Sequence, residues 1–121
     1  MRILFVDDLP DTRELFRLAL SLQGHAVHLA SNGLEAVAAV QNLDSFQVII
    51  MDIEMPEMNG WDAVRAIRNL PRGSEVPIVM FTAYGNGVTL KLAQQVGANS
   101  VLHKPISPQE LIAHVQQVAI N

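Results

Sequence analysis

The sequence predicts an α/β fold: one doubly wound, five-stranded parallel sheet flanked by five helices. Three observations carry that prediction. Five short apolar runs recur along the chain, a helical pattern follows each, and the third run is apolar at nearly every position. Strand and helix alternating five times give a parallel sheet with helices on both faces. A strand covered on both faces loses the alternation seen in half-exposed strands.

The runs are "ILFV", "HAVHLA", "FQVIIM", "PIVMF" and "SVLH". After the first, Leu15, Leu18 and Leu22 fall at i, i+3 and i+7 and are expected to form the apolar face, with Gly24 placed to stop the helix. In the second helix Asn32 stands three residues before Glu35 as a capping-box variant, and Val37 and Val40 share a face. The third has Ala63, Val64 and Ile67 as its stripe, turns Arg65 and Arg68 away, and exits at Pro71. Leu92, Ala93 and Val96 share a face of the fourth, which Gly97 follows. The fifth opens with Ser107 as N-cap, Pro108 at the first helical position and Glu110 closing the box. Leu111, Val115 and Val118 form its inner stripe. No linker, low-complexity tract or charge run divides residues 1–121, which are read as one domain.

Half of the 121 residues are apolar, enough for one domain with one core. A net charge of −4 argues against a dedicated nucleic-acid binder, which would carry a basic patch. With no cysteine, disulfide scaffolds, thiolate metal sites and thiol nucleophiles are excluded. No apolar run approaches the ~20 residues that cross a bilayer. Asp7 and Asp8 also break the first run too early for a secretory signal. The expectation is a soluble, cytoplasmic domain with no direct nucleic-acid or membrane partner.

Those two acids pose the central question. "ILFVDDLPD" runs an apolar strand straight into adjacent carboxylates, and like charges beside a core repel. One reading makes Asp7 or Asp8 a helix cap and points the other into water. The other makes them half of a cation site. Position favours the second. In open α/β sheets ligands bind beyond the carboxyl ends of the strands, where strand order reverses. Asp7 and Asp8 end the first strand, Asp52 the third, Thr82 the fourth and Lys104 the fifth. In the strand order 2-1-3-4-5, strands one and three are neighbours, so three aspartates converge on one crevice. Thr82 and Lys104 enter from the other side. A turn aspartate, a strand-end threonine and a solvated lysine are each ordinary alone. Five such residues at one sheet edge are not.

With "MDIEMPEMNG" around Asp52, "FTA" at Thr82 and "KP" at Lys104–Pro105, the chain resembles a response-regulator receiver domain of two-component signalling along its whole length. The resemblance implies a flavodoxin-like fold and a cis Lys104–Pro105 bond. It also implies that Asp52 accepts a phosphoryl group from a partner's phosphohistidine and later loses it to water. That partner would be a sensor histidine kinase or a histidine phosphotransfer protein, with an unspecified downstream protein target. Asp52 is then the nucleophile, forming an acyl phosphate. A hard divalent ion, Mg²⁺, is expected on Asp8, Asp52 and the main-chain carbonyl of Glu54, with Asp7 acting through a bound water. Lys104 offers a point charge to a phosphoryl oxygen, and the Thr82 hydroxyl and Ala83 amide can donate to another. Glu54 and Tyr84 stand where the family places side chains over the path of the hydrolytic water.

The remaining features read as structural. His25 and His28 are three apart on a strand and face opposite ways, His103 points away from Lys104, and His114 lies on the last helix. "YGNG" lacks the lysine of a phosphate-binding loop and is taken as a mobile connection. Met51, Met55 and Met58 are packing residues, and Trp61 is expected half-buried. Two departures from the family pattern stand out. Val101 occupies a position that is often Tyr or Phe, and the last two helices offer only Lys91 and Glu110 amid glutamines, so a monomer is expected. The competing class is a phosphohydrolase with an aspartyl-phosphate intermediate, for which "DDLPD" lacks the Asp-x-Asp order. The expected chemistry is self-phosphorylation and autodephosphorylation rather than enzymatic turnover. Met1 and an end just after the fifth helix fit either a complete protein or a receiver trimmed from a longer regulator or hybrid kinase.

Overall fold

The computed structural model describes residues 1–43, 45–83 and 90–120. The strands are β1 (Arg2–Val6), β2 (Ala26–Ala30), β3 (Val48–Asp52), β4 (Ile78–Thr82) and β5 (Ser100–His103). The helices are α1 (Pro10–Leu22), α2 (Gly33–Asn42), α3 (Gly60–Arg68), α4 (Leu90–Val96) and α5 (Pro108–Ile120). A 3₁₀ turn, Pro71–Gly73, absent from the sequence-based expectation, occupies the exit at Pro71. All strands pair in parallel, in the order β2-β1-β3-β4-β5. The fold class and strand order match the expectation.

Two cores sandwich the sheet. Phe16 and Leu20 of α1 and Leu111 and Val115 of α5 close over Ile3, Phe5, Ile50 and Phe81. On the other face, α2, α3 and α4 bury Ala36, Val40, Val64, Ile67 and Ala93 against Leu4, Ile49, Met51 and Met80. Every residue of β3 and β4 is buried, which accounts for their unbroken apolar character. Under the carboxyl ends of the strands, Phe16 stacks on Phe5 at 5.3 Å between ring centroids and meets the edge of Phe81 at 5.6 Å. Met51 is fully buried and Met55 and Met58 pack on the same core, with Trp61 half-buried beside them.

The caps explain where the helices begin. Asn32 accepts the Glu35 N–H at 2.9 Å, and Glu35 reaches back to the Ser31 N–H at 2.7 Å. Ser107 and Glu110 exchange the two bonds of a capping box. Gly24 takes a φ of +88° after α1, a left-handed conformation that glycine adopts without strain.

Three expectations about helix faces are corrected. Leu15, Leu18 and Leu22 are 55, 51 and 76% exposed, and α1 buries Phe16 and Leu20 instead. Both stripes satisfy helical spacing. The larger ring at Phe16, complementary to Phe5 and Phe81, decides which one faces inward. The outer leucines remain as a row of the kind that partner proteins cover. On α4, Leu92 is 45% exposed while Ala93 is buried. Arg68 does not turn away from the domain. Its guanidinium donates to the carbonyls of Gly97, Gly73 and Val76 at 2.8, 2.9 and 2.6 Å and to the Asn99 side chain at 3.0 Å. Burial lowers its pKa from the ordinary arginine value. Asn99 in turn accepts the Ile78 N–H at 2.8 Å, so one arginine ties α3 to the starts of β4 and β5.

The inverted stripe on α1 gives a direct test. Leu20→Ala is expected to destabilise the domain by about 2–5 kcal/mol, the range for emptying a buried leucine site. Leu18→Ala is expected to change stability by less than about 0.5 kcal/mol, as for an exposed position. Urea denaturation of the two variants, each against wild type, measures both.

Candidate functional site

Strand register builds the site. Val6 pairs with Met51, so the chain leaves β1 with Asp7 beside Asp52. Asp52 pairs with Phe81, and Thr82 with His103, which places Thr82 and then Lys104 at the same edge. The result is an open cleft of about 220 Å³ lined by Asp8, Leu9, Asp52, Glu54, Thr82, Ala83 and Lys104. One carboxylate oxygen from each of Asp7, Asp8 and Asp52 lies within 4.8 Å of the others. Every expected site residue therefore meets here except Tyr84, which lies outside the described residues together with the rest of the "YGNG" segment. The Lys104–Pro105 peptide is cis.

Asp7 does not line the cleft. It is completely buried beneath it, and each of its polar atoms has a partner. Its amide donates to the Ala30 carbonyl at 3.1 Å. Oδ1 accepts the Leu9 N–H at 2.9 Å, Oδ2 accepts Lys104 Nζ at 2.7 Å, and its carbonyl accepts Arg13 Nη1 at 2.8 Å. Lys104 is farther from Asp52, at 3.7 Å, and lies over the Phe81 ring at 4.9 Å from the centroid. Its own amide donates to the Thr82 carbonyl at 2.6 Å. The cation thus serves Asp7 first.

Asp52 bears the consequence. Its carboxyl pKa is pushed up to about 7, first by burial and then by the charge of Asp7. Lys104 opposes the shift and Asp8 adds to it. Asp8 and Asp52 present the hard oxygen donors of the cleft, with Asp7 within 4.8 Å of both, a set that could hold a hard cation.

The loop after β3 completes the wall. Asn59 caps α3 by accepting the Asp62 N–H at 2.9 Å. Gly60 donates to the Ile53 carbonyl at 2.8 Å, and a Cβ at that position would lie 2.2 Å from the Asp52 carbonyl oxygen. Only glycine permits this approach. Leu9, Arg13 and Gly60 are the residues that sequence reasoning missed. "MNG" after Asp52 is a turn signal for Gly60, whereas nothing in the sequence marks Leu9 or Arg13.

Comparison with known proteins agrees with this geometry. Residues 3–116 match the family model described as response regulator receiver domain. The chain belongs to the response regulator receiver domain family. It is 38% identical over 120 residues to the 14.6 kDa protein of the sodA1 3′ region of Leptolyngbya boryana, covering 99% of this chain and 91% of that one. Chemotaxis response regulator CheY4 of Vibrio cholerae superposes with a TM-score of 0.89 at 34% identity, covering 97% of each chain. The receiver domain of sensor histidine kinase PA1611 from Pseudomonas aeruginosa, solved with a magnesium ion in its active-site cleft, superposes with a TM-score of 0.90 at 30% identity. That match covers 99% of this chain and 98% of the other. The chain spans about half the length of the transcriptional regulators among its curated relatives.

For this receiver domain the raised Asp52 pKa has a measurable consequence. Below the ordinary value of 3.8 the carboxyl is protonated whether or not the chain is folded. Between there and about 7 the unfolded chain ionises while the folded one keeps its proton, so the contribution of Asp52 to stability falls as pH rises. Above about 7 the full penalty applies. Asp52→Asn is therefore expected to gain stability over wild type at pH 8 and to gain much less at pH 5, in metal-free buffer. Urea midpoints at the two pH values check this, and equal differences would contradict it.

Proposed function

We propose that Asp52 is the phosphoacceptor of this receiver domain and that Mg²⁺ is held by Asp8, Asp52 and the main-chain carbonyl of Glu54. The observation that carries the reading is Asp52 itself, a buried carboxylate at the floor of a cleft with an acid on one side and a lysine on the other. Asp7 contributes from beneath, through a water bound to the ion, because both of its carboxylate oxygens are already engaged. When bound, the ion neutralises carboxylate charge and polarises the phosphoryl oxygens.

This chain's own groups do the rest. An Asp52 oxygen attacks phosphorus, the nitrogen–phosphorus bond of the donor's phosphohistidine breaks, and the imidazole keeps the electron pair. Lys104 pairs with one phosphoryl oxygen, while the Thr82 hydroxyl and the Ala83 amide donate to another. Hydrolysis later breaks the bond between phosphorus and the Asp52 oxygen, with water as nucleophile, and restores the carboxylate. The reading makes the domain a signalling module in the cytoplasm rather than a turnover enzyme. Its donors are a sensor histidine kinase or a histidine phosphotransfer protein, and small phosphodonors support self-phosphorylation. The domain acts as a monomer, because the outer surfaces of α4 and α5 present exposed glutamines around single charges at Lys91 and Glu110. Among the described residues no helix is long and apolar enough to cross a membrane, which is compatible with this reading.

Acetyl phosphate with Mg²⁺ is expected to add one phosphoryl group to wild type and none to Asp52→Asn, read by intact-protein mass spectrometry. Stoichiometric labelling of the variant would overturn the assignment. Asp8→Ala is expected to retain its fold and lose Mg²⁺-dependent labelling. Glu54→Ala is expected to change the dephosphorylation rate more than the labelling rate, since its exposed side chain borders the cleft without contributing a proposed ligand atom.

A further inference from the structure

Arg13 is the one residue of α1 whose side chain reaches back into the acid turn. Nη1 donates to the carbonyl of Asp7 at 2.8 Å, and that carbonyl belongs to the peptide joining Asp7 to Asp8. The remaining restraints on the turn act on the other atoms of Asp7: its amide through Ala30, its Oδ1 through Leu9 and its Oδ2 through Lys104. Without Arg13 the Asp7–Asp8 peptide keeps the restraints at Asp7 but loses the one on its own oxygen. Asp8 stands on the far side of that peptide, half-buried and facing the cleft. The Arg13 amide also donates to the Leu9 carbonyl at 3.0 Å, so the side chain springs from the first turn of the helix that the acid turn initiates. Glu35 lies within electrostatic reach of Arg13, its pKa lowered first by the Ser31 N–H and in smaller part by Arg13.

We propose that Arg13 is a positioning residue for the cation site: by holding the Asp7 carbonyl it fixes the peptide plane from which Asp8 projects, and so sets Mg²⁺ affinity. The inference rests on the reading that Asp8 and Asp52 hold the ion. Groups that orient metal ligands without touching the metal commonly control affinity by about 10–100-fold. The opposing effect has the opposite sign. A guanidinium near a cation site repels the incoming ion, so a purely electrostatic Arg13 would weaken Mg²⁺ binding and its removal would tighten it. An Arg13 that only stabilised the fold would leave the affinity of the folded protein unchanged.

The sign of one measurement separates these roles. Mg²⁺ is titrated into wild type, Arg13→Met and Arg13→Lys, followed by Trp61 fluorescence, with circular dichroism confirming that each is folded. Trp61 reports because it follows Gly60, which packs on the Asp52 carbonyl. Arg13→Met, which keeps the aliphatic stem but loses charge and donors, is expected to bind Mg²⁺ about ten-fold more weakly. Arg13→Lys, which keeps one donor and the charge, is expected to recover at least half of the lost binding free energy. Unchanged or tighter binding by Arg13→Met overturns the proposal. Should Arg13→Met fail to fold, Arg13→Gln is read by the same criterion. Failure of wild type itself to bind Mg²⁺ overturns the reading of the site and the inference with it. Binding by wild type with no loss in the Arg13 variant overturns the inference alone.

Discussion

Three carboxylates share one end of the sheet, and a single lysine stands among them. Parallel pairing of β1 with β3 makes the crowding unavoidable, because Val6 opposite Met51 delivers Asp7 and Asp52 to the same level. The repulsion is distributed unequally. Asp7 takes the shorter contact to Lys104, 2.7 Å against 3.7 Å for Asp52, together with the Leu9 amide. It is therefore satisfied without help from solvent, although completely buried. Asp52 is left with the longer contact and a raised pKa. The domain spends Lys104 on the acid that builds the turn and leaves Asp52 the less compensated of the two.

That division also explains the packing around the site. A partly buried ammonium is costly unless its surroundings compensate. Lys104 is compensated by Asp7 and by the face of Phe81, whose own edge meets Phe16. The aromatic cluster that selects the inner face of α1 thus also forms the floor beneath the cation. Helix orientation and site electrostatics share the same rings. Gly60 does the corresponding work on the other flank, letting α3 start against the backbone of Asp52.

Much of this was legible in the sequence because it depends on order along the chain. Alternating strands and helices gave the fold class, and residues at strand ends gave the convergence of Asp7, Asp8, Asp52, Thr82 and Lys104. The failures have a common physical origin: they concern which of two permitted partners a side chain selects. Leu15, Leu18 and Leu22 satisfy helical periodicity as well as Phe16 and Leu20 do, and only the shape of the opposing sheet separates the two sets. Arg68 has a stem long enough to reach either solvent or a ring of carbonyls, and its sequence neighbours do not say which. Arg13 bonds a main-chain oxygen, and a main-chain oxygen has no signature in a sequence. The close approach at Gly60 belongs to the same class, since a glycine after "MN" is consistent with any turn.

The two ends of the sheet differ in how firmly they are held, and that difference bears on how a signal leaves the site. At the amino end of β4 and β5, Arg68 and Asn99 join α3, the residue after α4 and the first residue of β4 through hydrogen bonds that carry one delocalised charge. Those groups are not among the residues that line the cleft. At the carboxyl end, the Lys104 amide bonds the Thr82 carbonyl, and both residues line the cleft. A ligand shifts an equilibrium only through groups that contact it differently in the two states. A group bound in the cleft therefore meets these strands at Thr82 and Lys104, at the end opposite the Arg68 hydrogen bonds. Val101 lies between them, partly buried on the core face shared with Met80 and Ala93. Its branched side chain has one stiff torsion and no long ring to swing.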